Sequence, residues 1–230
     1  MREKVLYVTG AAALSLLVWN LYTIFVALPD EIAQGSIYRI IFFHVPAALT
    51  FMIAAFASMV GSVLYLTRQK FSYDAFAAGV TEVSLVFGAV NLITGMIWAR
   101  VIWGVWWAWD ARLTSMLISW LMYGGYLMLR QAIDEPTQRA RFSAVLSIFT
   151  FPGVVITWKA IDWWRTQHPG PVLSVRGAKG GMDPAMESTL YWNLLAVVLF
   201  AIVLLAIRMR QESTQREIDS LRRELHAQAV

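Results

Sequence analysis

With 230 residues, 58% of them hydrophobic and only 15% charged, a mean hydropathy of +0.56 and a net charge of +4, the chain has too little polar surface for a soluble domain of its length. The composition points to an all-α integral membrane protein. The absence of cysteine excludes disulfides and thiolate metal sites.

Apolar stretches at 5–28, 40–66, 75–97, 113–129, 142–157 and 190–207 predict six transmembrane helices, each near the roughly 20 residues that cross a hydrocarbon core. The fourth and fifth are short and must borrow interfacial residues at their ends. The first follows Met1-Arg2-Glu3-Lys4, is too long for a signal core and has no small-residue cleavage site after it, so it reads as an uncleaved span. Residues 1–210 form the six-span membrane domain, and 211–230 form a polar, helix-favouring cytoplasmic tail. Ile218, Leu221 and Leu225 make a stripe on that tail, either a surface for a cytoplasmic partner or one face of a solvated helix extending the last span.

Basic residues set the topology. Twelve of the 19 Lys and Arg, among them Arg68, Lys70, Arg130, Arg139 and Arg141, fall in one set of segments. The other seven, among them Arg39, Arg100, Arg112, Arg165, Arg176 and Lys179, fall in the opposite set. The larger set is expected to be cytoplasmic, with both termini inside and the loops at 29–39, 98–112 and 158–189 outside. This bias accounts for the pI near 9.5 without a nucleic-acid partner.

Between the third and fourth spans lies Trp103-Gly104-Val105-Trp106-Trp107-Ala108-Trp109-Asp110, with four indoles in seven residues. An interfacial aromatic belt explains single tryptophans, but a belt marks both interfaces. Here Trp98, Trp158, Trp163, Trp164 and Trp192 join the four on the outer side, and only Trp19 and Trp120 lie within spans. One-sidedness favours a platform for a broad planar π-system, lying open along the membrane surface rather than enclosed between spans. Asp110 is placed to cap the helix that follows, or to accept from an indole N–H.

Two of three histidines fall on that same side. His44 lies in Arg39-Ile-Ile-Phe-Phe-His44-Val-Pro46, and His168 in Trp163-Trp164-Arg165-Thr166-Gln167-His168; His226 sits in the polar tail. Alone, His44 reads as a ligand or as a hydrogen-bonded residue at a span start, and His168 as an ordinary loop residue. Beside the Trp cluster they supply two imidazoles, enough to complete a six-coordinate heme from opposite faces. No CxxCH motif is present, so such a heme would be held by coordination and packing alone. Arg100 and Arg112 flank the run and match carboxylate geometry, with Arg165 and Arg176 as further candidates; each also reads as an interfacial snorkelling residue. Glu82, Asn91 and Asn20 are intramembrane polar residues and hence functional candidates, Glu82 more in keeping with helix–helix hydrogen bonding. Pro152 is expected to kink the fifth span and Gly124-Gly125 to permit close helix approach.

The WGVWWAWD run, the RIIFFHVPAA segment around His44, the WWRTQH segment ending at His168 and the order of six spans together resemble the heme exporter protein C group of the WWD-domain family, which handles heme in cytochrome c maturation. The resemblance covers essentially the whole chain. It implies a bacterial inner-membrane protein that binds heme b non-covalently at its periplasmic face. His44 and His168 would be axial ligands, with Trp103, Trp106, Trp107, Trp109, Asp110, Arg100 and Arg112 around the macrocycle. It also implies delivery to a periplasmic heme chaperone, and a complex with the ATPase and membrane subunits of an ABC transporter and a small single-span accessory protein. The chain itself has no GxxxxGK[ST] loop. Two rivals stand beside heme delivery: a cofactor-free membrane scaffold whose Trp cluster grips a protein, and a lyase joining heme to the chaperone. For the lyase the chain offers no cysteine nucleophile and no acid/base pair, so it is expected not to be an enzyme.

Overall fold

The computed structural model describes residues 2–170 and 182–228, and among them there is no β-strand. Helix α1 (Arg2–Tyr22) runs into one π-helical turn at Thr23–Ala27. A 3₁₀ turn at Ser36–Ile40 leads into α2 (Ile41–Arg68), followed by α3 (Phe71–Ile102), α4 (Ala111–Ala132), α5 (Pro136–Trp163) and α6 (Pro184–Gln228). Arg176 and Lys179 lie outside the described residues, as does the side chain of His226.

Local chemistry sets the boundaries. At the start of α4 the Asp110 carboxylate accepts from Leu113 N at 2.8 Å, which answers one of the unpaired amides of a first helical turn. Pro136 opens α5, where a missing N–H costs nothing, and Glu135 accepts from the amides of Thr137 and Gln138. Those two donors, Thr137 first, hold the Glu135 carboxyl below its ordinary pKa. Gln69 ends α2 in the left-handed conformation, φ 53°.

The protein is an all-α membrane protein. Of the six long helices among the described residues, five are long and apolar enough to cross a bilayer, and the exception is α4. At 22 residues α4 is long enough, but it carries Ser119, Tyr123 and Tyr126 at its buried positions, polar-tipped residues turned into the bundle. Its membership of the six therefore rests on packing against α5 and α3 rather than on composition. The short fifth stretch does borrow from its flanks, since α5 takes in 136–141 and 158–163. Into the tail α6 continues unbroken for 45 residues in all, about 68 Å at 1.5 Å per residue, over twice a hydrocarbon core of about 30 Å.

The central core joins α2 to α5 through Phe51, Val83, Phe87, Met116, Tyr123 and Val154. Within it Ser58 is a polar hub, 2.7 Å from Thr81 Oγ1 and 3.0 Å from Ser147 Oγ, so three helices share satisfied hydroxyls. A second cluster, Ile24, Leu28, Phe42, Met186 and Leu190, fastens the end of α1 and the start of α6 to the start of α2. Toward the other end of the bundle two ion pairs bind helices together. Arg130 of α4 grips Asp74 of α3 bidentately, with Nη2 at 3.0 Å from Oδ2. Glu82 serves helix–helix bonding, accepting from Arg208 of α6.

Close helix approach falls elsewhere than expected. A Cβ added at Gly124 or Gly125 would meet open space. At Gly88 it would sit 2.6 Å from Trp120 Cδ1 and 2.9 Å from Phe51 Cδ2, and at Gly153 2.6 Å from Ser119 Oγ. A glycine pair in sequence shows that contact is possible; only the register of neighbouring helices decides where it happens.

Candidate ligand-binding site

His44 sits in the first turn of α2, two residues before Pro46. Proline has no N–H to give, so the Phe42 carbonyl four residues back loses its helical donor. Asn193 of α6 donates to that carbonyl instead. A helix start weakened by proline is thus pinned from a neighbouring helix, and His44 is held on it.

The His44 ring meets one turn of α3. Its Nδ1 lies 3.0 Å from Thr94 Oγ1, and the Asn91 amide nitrogen lies 3.3 and 3.2 Å from Nδ1 and Nε2. Asn91 also donates to the His44 carbonyl at 3.3 Å.

His168 follows α5 on a non-helical segment. Its ring centroid is 6.2 Å from that of His44, with 28° between the planes. His168 Nδ1 donates to the Pro169 carbonyl at 2.8 Å; a carbonyl only accepts, so the hydrogen is on Nδ1 and Nε2 keeps its lone pair. Burial above all, and then the nearby Arg112 cation, lower the His168 pKa to about 4, against the Pro169 carbonyl and the Asp110 carboxylate. The ring is therefore neutral at neutral pH, the form that ligates metal. Asp110 ties this segment down: while Oδ1 caps α4, Oδ2 accepts from Gln167 N at 3.1 Å.

Between the histidines opens a cavity of about 310 Å³, within the usual range for small-molecule sites. Gln34, Tyr38, Trp98, Trp103, Trp107 and Arg112 line it, as do Leu49 and Met52 farther along α2 and Met116 and Val154 of α4 and α5. The four indoles of the run divide. Gly104, at φ +76°, turns the backbone so that Trp103 and Trp107 line the cavity while Trp106 and Trp109 face outward, 55% and 77% exposed. Trp103 packs edge-on against Trp98 at 5.0 Å, and Trp98 Nε1 is spent on Gln34 Oε1 at 2.8 Å. The Trp107 Nε1 hydrogen is buried and has no hydrogen-bond partner among the described residues.

The arginines divide similarly. Arg112 lines the cavity, whereas Arg100 bonds the Gly104 carbonyl and lies over the Trp106 ring at 5.9 Å, on the outer side. Arg165 is exposed and outside the cavity lining. Thr94, Gly95, Gln34 and Tyr38 escape sequence reasoning because nothing in their spacing sets them apart. Asn91 does carry a signal, as an amide in an apolar span. Among the described residues no three His, Cys, Asp or Glu gather, so the two imidazoles belong to no protein-only metal cage. The two imidazoles face the same tryptophan-lined cavity, which leaves room for a ligand between or beside them.

A family model described as "Heme exporter protein C" matches residues 1–224. The chain is 34% identical over 222 residues to "Heme exporter protein C" of Bradyrhizobium diazoefficiens, covering 96% of this chain and 83% of that one. It is 36% identical over 183 residues to the Escherichia coli K12 protein of the same name, covering 79% and 73%. The Paracoccus denitrificans protein of that name is 34% identical over 217 residues, covering 93% and 88%.

Proposed function

The chain belongs to the heme exporter protein C family, and from that premise we propose that it holds heme b non-covalently between His44 and His168 and delivers it to a periplasmic heme chaperone during cytochrome c maturation. The observation that carries this reading is the 6.2 Å between the two ring centroids. Imidazoles that would share one metal between them, each at a bond of about 2.0–2.1 Å, would have ring centroids about 6 Å apart. The His168 tautomer fits as well, since its Nδ1 hydrogen is spent on a carbonyl and Nε2 is left for iron.

The slot suits the rest of the cargo. Trp103, Trp107 and Trp98 offer the apolar faces a porphyrin needs, and the unpartnered Trp107 N–H with the Arg112 guanidinium offers donors for a propionate. Bound heme would supply the reactive vinyl edge and the redox chemistry. This chain's residues would hold, orient and partly shield it, and no catalytic step is assigned to them. The division of basic residues supports a Trp-rich end facing the periplasm, with both termini in the cytoplasm of a bacterium. The ATPase and membrane subunits of an ABC transporter and a small single-span protein are the proposed partners, with ATP hydrolysis left to the ATPase.

Absorption spectra of detergent-purified protein from heme-replete cells test the proposal. The wild type and His226→Ala are expected to show a Soret band with low-spin bis-His features, which His44→Ala and His168→Ala lose. A wild type without a Soret band at full heme supply would contradict it, and would leave the Trp cluster as a protein-gripping scaffold.

A further inference from the structure

Asn91, Thr94 and Gly95 stand at i, i+3 and i+4 on α3, so they share one face of one helical turn, and all three meet the His44 ring. We propose that this turn is a positioning seat that locks His44 in the Nδ1–H tautomer and aims Nε2 into the cavity; the inference rests on the reading of His44 as an iron ligand.

The tautomer follows from counting hydrogens. The Thr94 hydroxyl has one, and it donates to the Val90 carbonyl at 2.7 Å, with the Asn91 carbonyl at 3.1 Å also in reach. Toward His44 Nδ1, at 3.0 Å, the same oxygen therefore presents a lone pair, which only an N–H can answer. Orientation follows from the other two residues. An amide nitrogen at nearly equal distances from both ring nitrogens, 3.3 and 3.2 Å, must lie over the ring face, because in the ring plane it would collide with Cε1. Gly95 closes the Cε1 edge: a Cβ built there would stand 3.1 Å from that carbon, tighter than ordinary contact. One face, the Cε1 edge and Nδ1 are thus occupied by α3. A hydrogen bond from the remote N–H of a ligating histidine fixes the ring and raises its basicity toward the metal. Thr94 is on this argument a positioning residue and touches no cargo.

Nitrogen-15 NMR of histidine-labelled, heme-free full-length protein tests the seat without any heme. His44 is expected as the Nδ1–H tautomer in the wild type, to lose that preference in Thr94→Val, and to regain it in Thr94→Ser. In heme titrations of the same proteins Thr94→Val is expected to weaken binding on the order of 10–100-fold, with Thr94→Ser restoring it. An Nε2–H tautomer in the wild type overturns the inference, and needs no variant to fold. So does a Thr94→Val protein with unchanged tautomer and affinity, even where wild-type heme binding is intact. A wild type with the Nδ1–H tautomer that takes up no heme would uphold the seat and overturn the heme reading instead.

Discussion

The two histidines reach the same cavity by different means. His44 is built into the bundle: its helix start is pinned by Asn193, and its ring rests on three residues of α3 about fifty positions away in sequence. His168 is held by its own neighbourhood, with its ring bonded to the next residue's carbonyl and its segment tied down through Gln167 to Asp110. One imidazole is thus placed by helix packing, and the other by hydrogen bonds along its own segment together with one from the Gln167 amide to the Asp110 carboxylate. Under the proposed delivery role, cargo would leave most readily from the His168 side, which is not built into the helix packing.

Substitutions on each side separate the two modes of support. Trp107 lines the cavity that both histidines reach and sets the upper limit of the effects. Its replacement by Ala is expected to weaken heme retention by about 1.5–3 kcal/mol, the usual worth of a buried large side chain, while Trp106→Ala, whose ring faces outward, leaves it near the wild-type value. Equal losses in heme titrations of the two variants would erase the distinction between inward and outward indoles. On the His44 side, Gly95→Ala puts a methyl 3.1 Å from Cε1; it is expected to cost about 1–3 kcal/mol of folding stability, as overpacking does, and to weaken heme binding through the displaced ring. On the His168 side, Asp110→Ala removes the α4 cap, worth about 1 kcal/mol of stability. It also frees Gln167, so the ferric spectrum should shift from low-spin toward mixed-spin while the His44 tautomer stays fixed. A His44 signal that moves with Asp110, or a low-spin spectrum that survives, would show that the two sides are not separately held.

The smallest effect concerns charge. His168 in heme-free protein is expected to titrate near 4, below its ordinary 6.5, because burial and the Arg112 cation disfavour imidazolium. Its neutral form therefore adds to the stability of the folded segment, fully above about pH 6.5 and less as the pH falls toward 4. Arg112→Gln should move the midpoint upward in an NMR titration, and an unmoved midpoint would remove Arg112 from the site's electrostatics.

Much of this was legible in the sequence because membranes impose simple rules. Apolar length gives the helices, and the pairing of Asp110 with the following turn is a local cap that the chain announces. The gathering of His44, His168 and the indoles at one end of the bundle follows once the spans are counted. What stayed hidden depends on register between helices. That Thr94 and Gly95 meet His44 requires knowing how α3 lies on α2, and that Gly88 and Gly153 rather than Gly124-Gly125 make close contacts requires the same knowledge. The split of the indole run hangs on the one positive φ at Gly104, which the spacing WGVWWAWD does not encode. The weak apolar signal of α4 has the opposite cause: Ser119, Tyr123 and Tyr126 lower its hydropathy, yet face the interior, where neighbours shield them.

The most direct test is a cryo-electron-microscopy structure of the heme-loaded, detergent-solubilised protein. Iron is expected between Nε2 of His44 and Nε2 of His168, at bonding distance from both, with Trp103 and Trp107 against the macrocycle and Thr94 still on His44 Nδ1. Heme bound away from this cavity, or iron ligated by only one of the two histidines through Nδ1, would contradict the assignment.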